Sequence, residues 1–593
     1  MKTEFKPAKM VNWFHPSVLA QSGIKSVVSK MFGNYADRRE TQAALDDPEA
    51  EDAWEKQTCK YLEEKEIWVD FISDTGDGFN ATYSVATIAA QDELSFICKG
   101  KRYALPRAKI LVLGGDQIYP TPTSELYHTN FRIPFESALP ARDNDPGHPD
   151  MYAIPGNHDW YDGLGNFMKV FCQQRWIGNW KTHQLRSYFA IPLPNNYWLW
   201  ATDIQLNEDI DKPQQDYFRK IARDKMKQDD KVILCTAEPS WVYKEMYPAD
   251  SSYDRLQFFI DTYITKEGTI CPDKSFRLAV VLTGDLHHYT HYCLPEEATE
   301  STAAEGPAKF SYHYIGAGGG GAFLHLTHNL PKKLSKLNSR PVEMKASFPN
   351  DKQSKGLLTG NFAFAKHNFK FSFLIGCVYL LFFWLMCSHF NTDPMSQLSL
   401  TAYIRGMDFN SYCLFMGLEL VKNPAVLLLS VLIIWGFTVF ADTKTGRKYI
   451  CWWGFLHGSL QFLSIFLLLY LFVQLIPPIP CFAGFWFDPA VAAALLSGGT
   501  LTGGSLMGSY LLLSDLIFRI HIDESSSSLI CEDYKNFLRM HISEDALTIY
   551  PIGIKKVTKK WRIISDEKDK QYNISGKQPA YHLIEEPIVI KLR

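Results

Sequence analysis

Apolar and polar positions divide the chain into three stretches of unlike rhythm. In the first, short apolar runs such as Ile67–Ile72 (IWVDFI), Lys109–Leu113 (KILVL), Tyr152–Ile154, Lys231–Cys235 (KVILC) and Leu278–Leu282 (LAVVL) punctuate more polar text. Near-continuous apolar runs of this length, bounded by Gly, Pro and Asp, predict buried parallel strands. Asn80–Ala90 and Asp216–Lys227 carry helical spacing, the former as the crossover after the first strand. An alternating aromatic and polar stretch ending at Leu206 (SYFAIPLPNNYWLWATDIQL) predicts two strands of a second sheet. The second stretch loses the rhythm: Phe371–Phe390, Ala425–Ala441, most of Tyr449–Ile476 and most of Pro489–Phe518 are apolar and almost uncharged. Each is at or near the roughly 20 residues that cross a bilayer, whereas Tyr412–Leu420 is too short to span alone. After His521 the text turns polar again, with Glu532–Met540 predicted as a helix and Leu547–Ile552, Trp561–Ile564, His582–Leu583 and Pro587–Leu592 as short strands.

What ends the strands of the first stretch carries the chemistry. IWVDFI runs into Ser73-Asp74-Thr75-Gly76-Asp77, KILVL into Gly114-Gly115-Asp116, MYAI into Pro155-Gly156-Asn157-His158-Asp159, and LAVVL into Gly284-Asp285-Leu286-His287. A buried strand holds its terminal loop still, and a Pro-Gly turn frees the side chains from pairing, so such ends present reactive groups at the carboxyl edge of a sheet. One Gly-Asp dipeptide is an ordinary turn. Four strand ends with Asp, Asn and His together point to oxygen ligands and a little imidazole, the set that Mg²⁺ or Mn²⁺ uses.

Taken in order, these blocks resemble the calcineurin-like metallophosphoesterases, whose pattern runs Asp-x-His, Gly-Asp, Gly-Asn-His-Asp/Glu, a lone His and Gly-His-x-His, and the likeness covers about Trp68–Ala322. Gly156-Asn157-His158-Asp159 with Gly115-Asp116 upstream is its specific part. The resemblance implies a four-layer α/β/β/α sandwich and two divalent ions, Mn²⁺ or Mg²⁺ ahead of Fe, Zn or Ca, that share Asp116. By position, Asp74 and His287 complete the first site, Asn157 holds the second ion, and His158, with Asp159 beside it, serves at the substrate as acid or charge stabiliser. Three family imidazoles are replaced here: by Gly76, by the block Cys235-Thr236-Ala237-Glu238-Pro239, and by Asp285. Glu238 and Asp285 are the expected substitute ligands and Asp77 a partial replacement in the first site, so that an oxygen-lined second site favours Mg²⁺, Mn²⁺ or Ca²⁺ over Zn²⁺. Trp160 and Tyr161 are candidates for an aromatic wall beside the substrate. On an extended strand His287, Tyr289 and His291 share one face and His288 takes the other; His288 and His291 are candidate substrate contacts, and His291 a reserve ligand.

Composition adds bounds. The 593 residues exceed one domain, and a net charge of −3 argues against nucleic acid as a partner. Twelve Cys without CxxC pairs or metal-finger spacing predict reduced thiols and no disulfide frame. The amino end lacks the apolar core of a secretory signal, and Ser17–Phe32 predicts a helix, packed or interfacial. The expected organisation is a helical extension (1–60), the metallophosphoesterase domain (61–330), a Lys-rich linker (331–368), about four transmembrane helices (369–520) and a small soluble β-rich module (521–593). Lys444, Arg447 and Lys448 between the second and third spans, with the basic linker, place both ends in the cytosol. The function expected is that of a membrane-anchored, metal-dependent phosphoesterase that hydrolyses a phosphomonoester or phosphodiester by metal-activated water, a lipid headgroup being one candidate substrate. The alternative is a degenerate relative that senses a phosphorylated ligand or acts as scaffold or transporter, although spans poor in charge count against transport.

Overall fold

The computed structural model describes residues 7–21, 48–141, 147–204, 210–265, 274–295, 312–337, 340–390, 398–447, 449–476, 486–565 and 572–591. Two compact units divide the chain: Met1–Val11, Gln21–Ser354 and Ile530–Arg593 form the first, Asn12–Ala20 and Lys355–Leu529 the second.

The first unit is built on two sheets. Its strands in chain order are β1 (Ile67–Ile72), a hairpin of β2 (Glu93–Cys98) and β3 (Lys101–Pro106), β4 (Ile110–Leu113), β5 (Asp150–Ala153), β6 (Trp176–Ile177), β7 (Trp180–Thr182), β8 (Phe189–Leu193), β9 (Tyr197–Ala201), β10 (Lys231–Cys235), β11 (Arg277–Thr283), β12 (Tyr289–Cys293), β13 (Tyr314–Ala317), β14 (Lys333–Leu334) and β15 (Val342–Phe348). After the second unit come β16 (Lys535–Ile542), β17 (Leu547–Ile554), β18 (Arg562–Ser565), β19 (Tyr572–Ser575), β20 (His582–Leu583) and β21 (Ile588–Ile590). One sheet runs β20-β17-β16-β1-β4-β5-β7-β6 with β21 also against β17, and the other β14-β15-β12-β13-β11-β10-β9-β8. Every residue of β4, β5 and β11 is buried, which is why these strands read as unbroken apolar runs. Val69, Val112, Tyr152, Ile233, Leu282 and Ile315 share one core between the sheets. Because β1, β4 and β5 pair in parallel, as do β9, β10 and β11, the carboxyl ends of each set fall on one edge. The crossover helix predicted at Asn80–Ala90 spans Phe79–Ala89, and the aromatic stretch before Leu206 forms β8 and β9 of the second sheet.

Two expectations change. Glu532–Met540, read as a helix, is instead the strand β16, antiparallel to β1 with Asp70 opposite Arg539. Its near-total burial removes the alternation that marks a strand. Its two buried cations are kept inside by partners: Lys535 Nζ donates to the Ala322 carbonyl at 2.6 Å, and Arg539 grips Asp70 with Nε–Oδ1 at 2.8 Å and Nη2–Oδ2 at 2.7 Å. The β-rich segment set apart at 521–593 thus extends the first sheet through β16 and β17, while 331–348, read as linker, supplies β14 and β15 to the second.

In the second unit, helices Phe369–Phe390, Ile450–Leu475 and Phe487–Phe518, of 22, 26 and 32 residues, are long and apolar enough to cross a membrane. A Cβ at Gly499 would lie 2.7 Å from the Tyr379 ring, so small residues let the first and last of these helices approach closely. The fourth expected span, Ala425–Ala441, is the 17-residue helix Pro424–Phe440, which meets Phe409–Lys422 at a 99° bend. Asn423 makes that break: its side chain accepts from the Ala425 and Val426 amides, and Pro424 cannot continue the preceding helix. Of the helix expected at Ser17–Phe32, the turn at 16–21 is helical and the remainder lies outside the described residues.

The Arg539–Asp70 pair generates a prediction. Arg539→Ala strands a buried carboxylate whose desolvation already raises its pKa, and lowers the unfolding free energy of the full chain by about 3–5 kcal/mol. In chemical denaturation, the double replacement Asp70→Leu with Arg539→Met recovers most of that loss.

Candidate active site

The chain turns sharply at three strand ends, where Asp74, Asp116 and Asp285 adopt φ of 60°, 49° and 66°, a left-handed region that Asp tolerates better than most residues. The loops are laced together by their backbones: Asp74 N–H donates to Gly115 O at 2.9 Å, Thr75 N–H to Asp116 O at 3.0 Å, and Ala322 N–H to Asp74 O at 2.8 Å. Two side chains are held by amides from neighbouring loops, Asp74 Oδ2 by Asp285 N–H at 2.9 Å and Asp116 Oδ1 by His158 N–H at 2.8 Å. A Cβ at Gly156 would land on Asp116 Oδ1 and one at Gly284 on Asp74 Oδ2, so these two glycines permit the approach of the loops.

At the centre of this cradle sits the hydroxyl of Tyr119. It lies 2.9 Å from Asp74 Oδ1, 3.2 Å from Asp116 Oδ2 and 2.9 Å from His287 Nε2. His287 Nδ1 is 2.8 Å from the Phe323 carbonyl and donates to it, which leaves Nε2 as the lone-pair nitrogen facing the cluster. The sequence reading missed Tyr119. Its only signal was an aromatic residue three positions after Asp116, where turns are usually packed down by such rings. One phenolic proton cannot satisfy two carboxylates and an imidazole at once. Burial first, and neighbouring carboxylates second, hold the Asp74 and Asp116 carboxyls well above their ordinary range, and no Lys or Arg among the described residues is paired with either. Anionic oxygens crowded away from water in this way are stable when protonated or when a cation joins them.

A second set lies alongside. Asn157 Oδ1 is buried with no hydrogen-bond partner. Burial and the nearby Asp285 push Glu238 up to about 8, and Asp285 accepts from the Tyr243 hydroxyl. His158 lies between the rings of Tyr119 and Tyr161, at centroid separations of 4.5 and 5.0 Å. Its Nδ1 is 3.0 Å from the Pro120 carbonyl, and burial pushes the imidazole down to about 4, so the ring is neutral with its proton on Nδ1. Tyr161 is pushed up to about 12 by burial and then by Asp116 and Asp285, which puts its phenol in the field of the same carboxylates. The orphaned Asn157 oxygen, the oxygen-rich donors and the glycine cradle all fit a bound cation. Asp74, Asp116, Tyr119 and His287 offer one set of donors; for the other, Asp116 and Glu238 both feel the charge of Asp285, and Asn157 precedes the His158 amide that holds Asp116.

Several expected residues stand elsewhere. Asp77 does not restore the first set: its two oxygens accept the amides of Val11 at 2.7 Å and Phe323 at 3.1 Å, and so tie down loops. Asp159 is fully buried, and its oxygens accept from Gly156 N–H at 2.9 Å, Gln117 N–H at 3.2 Å and the Tyr127 hydroxyl, so both are engaged in holding loops. Trp160 turns its Nε1–H to Asp203 Oδ1 at 3.0 Å. His288 is buried with Nδ1 against the His325 carbonyl at 3.1 Å, and His291 faces Glu585 and His313, so neither joins the cluster as a substrate contact. The alternation expected from His287 to His291 holds only from Tyr289 onward, because residues 285–288 bend before β12 begins.

Residues 67–289 match the model of the calcineurin-like phosphoesterase family, and this stretch holds every residue of both donor sets. Residues 67–289 therefore carry a calcineurin-like phosphoesterase domain, and that family binds divalent metal. Comparison with curated proteins gives no match. Among solved structures, that of PhoD is similar at 11% identity over 44% of this chain and 58% of PhoD, with a TM-score of 0.26, so the chain spans little more than half the length of that relative.

Tyr119→Phe tests the first donor set. Removing the hydroxyl lowers the metal bound per chain, measured by elemental analysis of the full-length protein, while the circular dichroism spectrum is retained; unchanged metal content excludes the phenol as a ligand.

Proposed function

We propose that this chain is a membrane-anchored, metal-dependent phosphoesterase, and the observation that carries the reading is the convergence of Asp74, Asp116, Tyr119 and His287 beside Asn157 and His158. A cation bound there supplies Lewis acidity toward a phosphoryl oxygen and makes water a better nucleophile. The rest falls to the chain. Asp116, with one oxygen toward Tyr119 and the other on the His158 amide, joins the two donor sets. Neutral His158, anchored through Nδ1, offers Nε2 as a proton acceptor at the substrate, which revises the acid role expected from the resemblance. Tyr161 lines the same space. With its missing imidazoles replaced by Tyr119, Glu238 and Asp285, the site favours hard cations: Mn²⁺ or Mg²⁺ as expected, with iron gaining where a phenolate adds anionic oxygen.

Membrane anchoring is supported by chain topology. The segments on either side of the apolar helices meet in one sheet as β1 and β16, and a chain that leaves and re-enters one domain crosses a bilayer an even number of times. Three long helices with the bent pair as one broken span make four. Lys444 and Arg447 between spans favour the cytosolic face for the first unit. A phosphorylated lipid headgroup is the substrate favoured, because tethering concentrates the site over its own bilayer. Basic residues of 331–370 add about 1 kcal/mol per well-placed cation on an anionic leaflet, although Lys332 and Lys333 are ion-paired with Asp351 and Glu343. A phospho-ligand sensor is the second reading, favoured by one observation: the Tyr119 hydroxyl lies within hydrogen-bond distance of Asp74, Asp116 and His287 together.

Two outcomes are expected. His158→Ala retains metal and loses roughly 10²- to 10⁴-fold in turnover on an aryl phosphate or phosphodiester, whereas loss of metal would make His158 a ligand. Full-length protein in liposomes releases phosphate or headgroup from a phospholipid in its own bilayer faster than from the same headgroup in solution; equal rates on soluble esters with no attack on lipid sink the lipid reading.

A further inference from the structure

Away from the carboxylate centre, β12 and β13 run antiparallel with Tyr289 opposite Ala317 and His291 opposite Ile315. Continuing that register by two residues sets Cys293 across from His313, and alternation puts His291, Cys293 and His313 on the face shared with Tyr289, Ile315 and Ala317. That face belongs to the core between the sheets. One nitrogen of each imidazole and the thiol sulfur all lie within 4.8 Å of one another, with His291 Nε2 2.9 Å from His313 Nδ1. The other nitrogen of His291, Nδ1, is 3.0 Å from Glu585 Oε1, and that carboxylate also accepts the Tyr289 hydroxyl. A carboxylate that holds one imidazole nitrogen and aims the other inward is the usual outer support of a metal-ligating histidine. The cluster begins four residues before Ala317, about 13 Å down the strand from the end where a Cβ at Gly318 would lie 2.7 Å from Asp74 Oδ2.

We infer that His291, Cys293 and His313 form a second, separate metal site, selective for a borderline-soft cation such as Zn²⁺, with Glu585 orienting His291. Two imidazoles and a thiolate suit Zn²⁺ and are a poor match for Mg²⁺, Mn²⁺ or Ca²⁺, so the two sites sort ions by donor type. Three protein ligands leave the fourth position to water. The site ties β12 and β13 to the segment between β20 and β21 that carries Glu585, and its role is to hold the end of the chain onto the domain rather than to act on substrate.

The full-length protein in detergent, stripped of metal and titrated with Co²⁺, tests this directly. A cobalt–thiolate charge-transfer band is expected, lost in Cys293→Ser together with about one ion per chain, retained in Asp116→Asn, and reached at roughly 10- to 100-fold higher cobalt in Glu585→Gln. If Cys293→Ser fails to fold, alkylation of the wild-type chain read by mass spectrometry replaces it: Zn²⁺ shields Cys293 and leaves half-buried Cys98, on the β2–β3 hairpin, reactive. Absence of the band, its persistence in Cys293→Ser, or equal labelling of Cys293 with and without Zn²⁺ overturns the site.

Discussion

The pairing of β1 with β16 is the constraint on which the rest depends. The first strand is flanked by β4 on one side and, on the other, by a strand more than 450 residues further along the chain, with the fully buried Arg539 neutralising Asp70 across that junction. Neither charge is tolerable inside without the other. The same strand reaches the candidate site, where Asn536 N–H donates to Gly319 O at 3.0 Å and Lys535 holds the Ala322 carbonyl. These contacts brace the glycine run, and Ala322 N–H in turn holds the backbone of Asp74. The apolar helices are thus an insertion within a domain rather than an appendix to it, and a fragment ending near Ser347 would lose β16 and bare an edge of β1.

At the site, the energetics are those of like charges held together by backbone geometry. Positive φ at Asp74 and Asp116, and side-chain-free glycines beneath them, put these two carboxylates where water cannot screen them. Such an arrangement costs stability and persists because sheets on both sides fix the loops, a pattern expected of groups whose compensation is a bound cation.

The sequence carried the strand ends plainly, because a buried parallel strand writes its apolar run and its polar terminus side by side. Asp74, Asp116, Asn157, His158, Asp285 and His287 were all legible for that reason. Tyr119 was not, since its role arises from a turn that brings its hydroxyl to residues 45 positions before and 168 after it. Asp77 and Asp159 have the right chemistry beside the right blocks, yet spend their oxygens on backbone amides, a distinction that only the hydrogen-bond partners reveal. β16 was misread because burial on both faces erases alternation. The His291–Cys293–His313 cluster escaped a search for cysteine spacing because its ligands are cross-strand neighbours, drawn together by register.

The account stands or falls on whether the carboxylate centre is a metal site that works. Titrating metal-stripped full-length protein with Mn²⁺, while following bound metal and phosphodiester turnover in one series, decides it. The account predicts that turnover rises in step with metal bound and that Asp116→Asn loses both. Turnover without bound metal, or a wild-type chain that takes up no ion beyond the His291–Cys293–His313 cluster, would contradict it.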